Sequence, residues 1–363
     1  MFNAKLRQGL RSGKANRKAK SLSALLLTLP FLSAAGYMIW SQFQEVQIVE
    51  ECLEDVKYVS YLPQLGMNNQ LISLAQGFLL AKELNRTLLV PNVLWPRASG
   101  VDGIFEPGLP TWADVFQISN VADHLNVKFQ LLQSANATKC MDVRVLFEAE
   151  KKPVYDSLAY KYLHAESLER RKVATIMDLK RFPNMSTVLV DGMYHAGEIF
   201  DPEIVHDLLL LMMKPTAMMQ NLLKEFQHEH GIKKGYTCLH VRMKDFQKMC
   251  KEVSGGATSC LPRCSRIEKE PGAIEDAVFI ATDDIEAPNM LAECMPPKTV
   301  TSKETEEFIR KKYSFTEQKI GVLVAVLDQL VCSEAEILFI NRMSTFSRSI
   351  DILRRERGQV IEW

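Results

Sequence analysis

Residues 56–91, VKYVSYLPQLGMNNQLISLAQGFLLAKELNRTLLVP, carry the pattern that decides the fold of this chain. A segment rich in Val and Tyr at 56–62 predicts a strand, and a loop that contains Pro and Gly follows at 63–70. Apolar residues then recur with helical spacing up to Asn85, and an apolar run at 87–91 is closed by proline. A strand, a helix and another strand in this order predict the first unit of a parallel sheet.

The C-terminal part of the chain repeats this alternation. Its predicted elements are strands at 237–241, 277–282, 298–301 and 336–340, a helix over 321–331, and a helix that starts at Ser344–Ser347. Because strands and helices alternate in both parts, we predict two α/β domains with parallel sheets. With 363 residues and 47% hydrophobic content, the chain is long enough to build both cores.

The N-terminal segment has the pattern of a membrane anchor. Residues 1–20 hold seven basic side chains and no acidic one, and residues 21–44 hold no charged side chain. A membrane helix needs about 20 apolar residues, so we predict a transmembrane signal anchor at 21–43. The positive-inside rule then makes residues 1–20 a cytosolic tail and residues 44–55 a stem. The competing interpretation is a cleaved signal peptide, because small residues at 33–36 fit a cleavage site.

A body that follows such an anchor lies in the lumen of the endoplasmic reticulum or Golgi, in a single-pass type II membrane protein. All eight cysteines lie beyond the apolar segment, where disulfides can form, although the sequence does not determine their pairing. Cys250, Cys260 and Cys264 fit no zinc spacing, and we interpret them as a disulfide-linked loop. The sequence also contains three glycosylation sequons, at Asn85, Asn136 and Asn184.

The charge distribution argues against a nucleic-acid partner. The net charge is zero, and the first 20 residues hold basic side chains without acidic ones. The rest of the chain is therefore mildly acidic, unlike a surface built to bind phosphate backbones.

Charged side chains follow the predicted strand at 237–241. The segment 236–246, YTCLHVRMKDF, places His240, Arg242 and Asp245 at or beyond its carboxyl end. In open α/β sheets ligands bind there, and an arginine can hold a phosphate through paired N–H donors. We therefore predict that Arg242 binds an anion, that His240 faces the ligand, and that Asp245 orients Arg242 or Lys244. A strand that simply reaches the surface is the alternative interpretation.

Two further segments, a helix start and a strand end, could face the same ligand. Ser344 and Thr345 lie where a strand gives way to a helix, whose free N–H groups and dipole favour an anion. A plain helix cap is the more common explanation for such residues. Asp283 ends the strand at 277–282 and could contact a sugar or ribose hydroxyl, although an ordinary turn also fits.

The loop at 63–70 offers neutral donors, which are the backbone of Gly66 and the amides of Asn68 and Asn69. The chain contains no Asp-x-Asp metal motif. We therefore expect no metal and no other cofactor. If the ligand is a nucleotide sugar, side chains and helix dipoles would stabilise its leaving diphosphate.

Several segments resemble motifs of the GDP-fucose protein O-fucosyltransferases. They are Tyr61–Pro91 for the N-terminal signature, His240–Phe246 for the central His-Leu-Arg motif, Phe279–Asp284 for the Ala-Thr-Asp segment, and Asp328-Gln329 with Asn341–Ser347 for the last motif. Each segment is short, but their order and spacing cover most of residues 56–358. The resemblance implies a GT-B fold of two facing Rossmann-like domains, an acceptor-side domain at 56–220 and a GDP-sugar-binding domain at 221–363.

The resemblance also implies an activity, which is metal-independent transfer of fucose from GDP-fucose to a hydroxyl with inversion at the sugar. The expected acceptor is a Ser or Thr of a protein. Arg242 and Asn69 would be the catalytic residues, Arg242 at the β-phosphate and Asn69 near the sugar–phosphate junction. The remaining site residues would bind the nucleotide and diphosphate, namely Gly66, Asn68, His240, Asp245, Asp283, Ser344, Thr345 and Phe346.

Two departures from the family pattern keep other functions open. Many members have a second basic residue directly after the arginine, where this chain has Met243, with Lys244 one position later. One branch places a carboxylate as general base in the first loop, and residues 63–70 contain none. The alternatives are a catalytically inactive lumenal protein that binds glycans or proteins, and a fucosyltransferase that acts on N-glycans or polysaccharide.

Overall fold

The computed structural model describes residues 56–63, 65–93, 97–98, 109–131, 145–148, 169–172, 176–191, 200–242, 263–270, 272, 277–284, 286–341, 344–354 and 358–362. These residues build two parallel sheets with helices between the strands, which confirms the α/β class. The predicted anchor at 21–43 lies outside the described residues. Within the described ranges, no helix is both long and apolar enough to cross a bilayer. The domain division at 220/221 stays a prediction.

The first sheet has six parallel strands. They are β1 (Tyr58–Tyr61), β3 (Thr87–Val90), β5 (Phe129–Leu131), β6 (Val145–Glu148), β7 (Glu169–Lys172) and β8 (Thr187–Asp191). Their order in space is β5-β3-β1-β8-β6-β7, so the chain builds outward from β1 and then returns to its other side. A short antiparallel ribbon pairs β2 (Leu65–Gly66) with β4 (Arg97–Ala98).

Six helices precede β9 among the described residues, and the first of them, α1, covers the predicted helical segment. In chain order they are α1 (Met67–Leu84), α2 (Trp112–Val115), α3 (Ser119–Leu125), α4 (Ile176–Lys180), α5 (Pro202–Met212) and α6 (Ala217–Glu229). Helix α1 ends at Leu84, and the left-handed backbone of Asn85 (φ 51°) closes its last turn, where the sequence predicts the end of the helix. A Cβ at Gly77 would lie 2.9 Å from the ring of Tyr61, so glycine lets α1 pack closely on β1.

The second sheet has five parallel strands, in the order β11-β10-β9-β12-β13. They are β9 (Thr237–Val241), β10 (Val278–Thr282), β11 (Thr299–Thr301), β12 (Ile337–Ile340) and β13 (Gln359–Glu362). The accompanying helices are α7 (Cys264–Ile267), α8 (Ala287–Met290), α9 (Ser302–Lys312), α10 (Glu317–Glu334) and α11 (Thr345–Arg354). The four strands predicted in this half are confirmed.

Helix α9 was not predicted, because its charged sequence hides the apolar periodicity. Its start carries a signal that could have revealed it. Thr301 and Glu304 form a capping box, in which the Thr301 N–H donates to Glu304 Oε2 at 2.8 Å.

Two disulfides hold the second half together. Cys238–Cys332 joins β9 to α10, and Cys264–Cys294 joins α7 to the short 3₁₀ helix at 292–294. Cys264 thus pairs 30 residues further along the chain, not within the predicted local loop. Cys250 and Cys260 lie outside the described residues.

At the amino end of each sheet, one buried arginine donates hydrogen bonds to several backbone carbonyls. Arg86 donates to the carbonyls of Tyr58, Phe182, Met185 and Ser186 at 2.6–3.3 Å. Arg354 donates to the carbonyls of Cys332, Ala335, Glu336 and Gln359 at 2.6–3.5 Å. Because buried carbonyls need donors, each guanidinium acts as a structural clamp between chain segments.

Candidate active site

The switch point of the second sheet lies between β9 and β12. From β9 the chain builds β10 and β11 on one side, and it then crosses to build β12 and β13 on the other. Open α/β sheets bind ligands at such a point, beyond the carboxyl ends of the strands. His240 lies on β9 at this edge, and β12 leads into Asn341 and the start of α11.

His240 joins the end of β9 to the first turn of α11. Its side chain is buried, with 4% of its surface exposed, and its Nδ1 lies 2.6 Å from Ser347 Oγ. Its ring stacks on Phe346, with ring centroids 4.6 Å apart and an angle of 24° between the planes. The structure therefore brings together two segments that the sequence predicted separately.

The imidazole of His240 is neutral at physiological pH. Burial, and next the positive charge of Arg242, lower the pKa of His240 to about 3. A histidine with this pKa holds no positive charge at neutral pH, so it can bind a ligand only through neutral hydrogen bonds.

Arg242 and Asp283 lie side by side at the carboxyl edge. Parallel pairing of Val241 with Thr282 places the next residue of each strand at the same level. Arg242 Nε lies 3.5 Å from Asp283 Oδ2, and the two side chains are 36% and 28% exposed. The carboxylate thus orients the guanidinium while leaving it accessible to an anion from solvent.

The start of α11 supplies the third part of the site. Ser344 is buried and its N–H donates to Asn341 O at 2.9 Å, whereas Thr345 and Phe346 are half-buried. Ser347 is fully buried, and its Oγ accepts the N–H of Asn341 at 3.2 Å. The ten-residue helix α11 therefore points its positive dipole end toward the edge that holds His240.

The predicted loop residues lie at the start of α1. Gly66 is the N-cap of this helix and supplies no side-chain cap. Asn68 is buried, and its Oδ1 accepts a hydrogen bond from Gln329 Nε2 at 2.8 Å. The buried Oδ1 of Asn69 has no hydrogen-bond partner among the described residues. An acceptor of this kind is suited to a hydroxyl donor from a ligand.

Helix α10 connects the start of α1 with the end of β10. Gln329 reaches Asn68, and the neighbouring Asp328 places Oδ2 2.6 Å from Ser302 Oγ. That hydroxyl accepts the N–H of Thr282 at 2.9 Å, one residue before Asp283. Asp328 belongs to the last of the motifs that carry the family resemblance, which assigns it no role. As the single charged residue in the apolar run 320–332, it could have been identified as a buried acid.

Substitution of Asp328 by asparagine should reveal a pH-dependent cost of burial. Burial raises the pKa of Asp328 to about 7, above the unfolded value, so the folded protein binds more protons between about pH 4 and 7. The contribution of Asp328 to stability therefore falls as the pH rises through this window. We expect Asp328→Asn to be more stable than the wild type at pH 8 by roughly 2 kcal/mol, and the gap to shrink at pH 5. Urea unfolding of both proteins at pH 8 and pH 5 measures this difference in stability. An equal difference at the two pH values would contradict the raised pKa of Asp328.

Four residues of the central motif, Met243, Lys244, Asp245 and Phe246, lie outside the described residues. The described part contains no group of three or more His, Cys, Asp or Glu side chains that could hold a metal ion. The predicted role of Asp245 and the metal-independence of the site stay predictions.

The fold is shared with known fucosyltransferase structures, although by sequence no curated protein matches the chain. A structure of POFUT1 in complex with GDP-fucose matches with a TM-score of 0.56 and 14% identity, covering 86% of this chain and 99% of that chain. A POFUT1 complex with GDP matches with a TM-score of 0.57 and 14% identity over the same shares. This likeness confirms the GT-B-like α/β fold class. The family model for GDP-fucose protein O-fucosyltransferase matches residues 58–357, and the chain therefore belongs to the GDP-fucose protein O-fucosyltransferase family.

Proposed function

We propose that this protein transfers fucose from GDP-fucose to a Ser or Thr hydroxyl of a protein, with inversion and without a metal ion. Family membership supports the choice of donor and reaction. The observation that carries the proposal is the cluster at the switch point, where Arg242, His240 and the start of α11 share one edge of the sheet.

The diphosphate of the donor would lie across this edge. The guanidinium of Arg242, oriented through Nε by Asp283, can make paired hydrogen bonds to the β-phosphate. The N–H groups of the first turn of α11, from Thr345 onward, lie at the positive dipole end of this helix, which favours the same negative charge. His240 adds a neutral contact that leaves the positive charge to Arg242 and the helix.

The same groups would stabilise the transition state. As the bond to fucose breaks, negative charge grows on the departing GDP, and donors already held in place are most effective against developing charge. Inversion requires the acceptor hydroxyl to attack from the face opposite GDP. We propose Asn69 as the residue that orients this hydroxyl, because its Oδ1 is a buried acceptor at the start of α1.

We also propose that the body of the protein lies in the lumen of the endoplasmic reticulum or Golgi, anchored by residues 21–43. The disulfides Cys238–Cys332 and Cys264–Cys294 support this location, because such bonds persist in oxidising compartments. Protease added to intact microsomes should leave the body uncut and digest it only after detergent is added. Digestion in intact microsomes would contradict the lumenal location.

Transfer assays with a set of donors and acceptors test the proposed reaction. The full chain is incubated with labelled GDP-fucose, or with GDP-mannose as the control donor, and with folded cysteine-rich protein domains, N-glycans or polysaccharide. We expect label from GDP-fucose alone, attached to Ser or Thr of a protein. Label on glycans would instead identify a glycan fucosyltransferase. Binding of GDP-fucose without transfer to any acceptor would identify an inactive homologue.

A further inference from the structure

The hydroxyl of Ser347 has a defined set of contacts. Ser347 is fully buried in the first turn of α11, and its Oγ lies 3.2 Å from the N–H of Asn341 and 2.6 Å from Nδ1 of His240. The backbone N–H can only donate, so Oγ is the acceptor in the first contact. The single hydroxyl proton then needs an acceptor of its own, because a buried hydroxyl without one is costly.

His240 Nδ1 is the acceptor that the described residues provide for this proton. A neutral imidazole has one nitrogen that donates and one that accepts, and a partner fixed at one nitrogen determines the state of the other. When Nδ1 accepts from Ser347, the ring proton must sit on Nε2.

We propose that Ser347 is a positioning residue that holds His240 as its Nε2–H tautomer, so that His240 presents a neutral N–H donor to the GDP-sugar. The contact with the GDP-sugar rests on the proposed function, whereas the tautomer does not. The stacking of Phe346 on the imidazole fixes the plane of the ring, and Ser347 then fixes which nitrogen carries the proton.

The tautomer matters because the ionised oxygens of a diphosphate act only as hydrogen-bond acceptors toward the protein. An Nε2 without a proton would place a lone pair against such an oxygen, whereas Nε2–H donates to it. Hydrogen bonds to charged groups are the stronger class, and loss of one weakens binding about ten- to hundredfold. A neutral donor also avoids repulsion between His240 and the neighbouring Arg242.

Nitrogen NMR of the ¹⁵N-histidine-labelled full chain measures the tautomer directly, with the His240 signals assigned through their loss in His240→Gln. We expect the unliganded wild type to carry its proton on Nε2. Ser347→Ala should give a mixture of tautomers and raise the KM for GDP-fucose about tenfold, with a smaller change in kcat. Ser347→Thr keeps a hydroxyl at this position and should restore the Nε2–H form and part of the affinity.

Ser349→Ala is the matched control, because Ser349 is buried on the same helix and has no contact with His240 among the described residues. It should change neither the tautomer nor the KM. A proton on Nδ1 in the wild type would overturn the proposal even if Ser347→Ala failed to fold, and so would an unchanged tautomer in a folded Ser347→Ala. A wild type with the Nε2–H form that binds no GDP-fucose would contradict the proposed function while the tautomer assignment stands.

Discussion

Replacement of Arg242 by alanine is expected to lower fucose transfer by about a thousandfold or more, with the fold intact. Arg242 is a cation at the carboxyl edge of β9, 3.5 Å from Asp283, and its side chain is partly exposed and does not support the core. In phosphoryl transfer, where charge also develops on phosphate oxygens, an arginine that meets this charge is worth about 10³–10⁵ in turnover. Initial rates with labelled GDP-fucose, together with circular dichroism and thermal unfolding, separate the loss of activity from a loss of folding.

Two variants sharpen this test. Arg242→Lys keeps the positive charge but loses the planar pair of donors, so it should recover only a small part of the rate. Arg266→Ala removes an exposed arginine from α7 and should leave transfer unchanged. Turnover of Arg242→Ala close to that of Arg266→Ala would show that the diphosphate is bound elsewhere.

Replacement of Arg354 by alanine is expected to produce the largest loss of stability among the substitutions considered. Arg354 is fully buried and donates to four backbone carbonyls that join the end of α10 to β12 and β13. Alanine leaves these carbonyls without their donor, and the free energy of unfolding should fall by roughly 3 kcal/mol or more. Urea unfolding of the wild type and the variant measures this change.

Arg310→Ala provides the comparison for Arg354→Ala. Arg310 lies on the surface of α9, where it forms ion pairs with Glu306 and Glu317. Exposed ion pairs contribute little, so the unfolding midpoint should hardly move. Equal effects of the two substitutions would show that the buried clamp is not a major source of stability.

The strands and helices that the sequence predicted are those with clear apolar patterns. Strands β9, β10 and β12 are mostly apolar and almost entirely buried, as expected for strands covered on both faces. The elements that were missed have polar or charged sequences, such as β7 with the sequence ERRK and β13 with QVIE. Both are edge strands, where charged side chains are common and the apolar signal is weak.

The candidate site was predictable in part for a similar reason. The rule that ligands bind at strand ends identified Arg242 and Asp283, because their position relative to a strand can be read from local sequence. The contacts Ser347–His240 and Asn68–Gln329 join residues 107 and 261 positions apart. A local sequence pattern does not show which distant residues will be neighbours. These contacts therefore become visible only in the folded structure.

Calorimetric titration of GDP into the full chain tests the central claim most directly, namely that the switch point of the second sheet is the nucleotide-sugar site. We expect one GDP to bind per chain, with unchanged affinity in Arg266→Ala and affinity at least about tenfold weaker in Arg242→Ala. Absence of GDP binding to the folded wild type, or equal affinity in all three proteins, would contradict the claim.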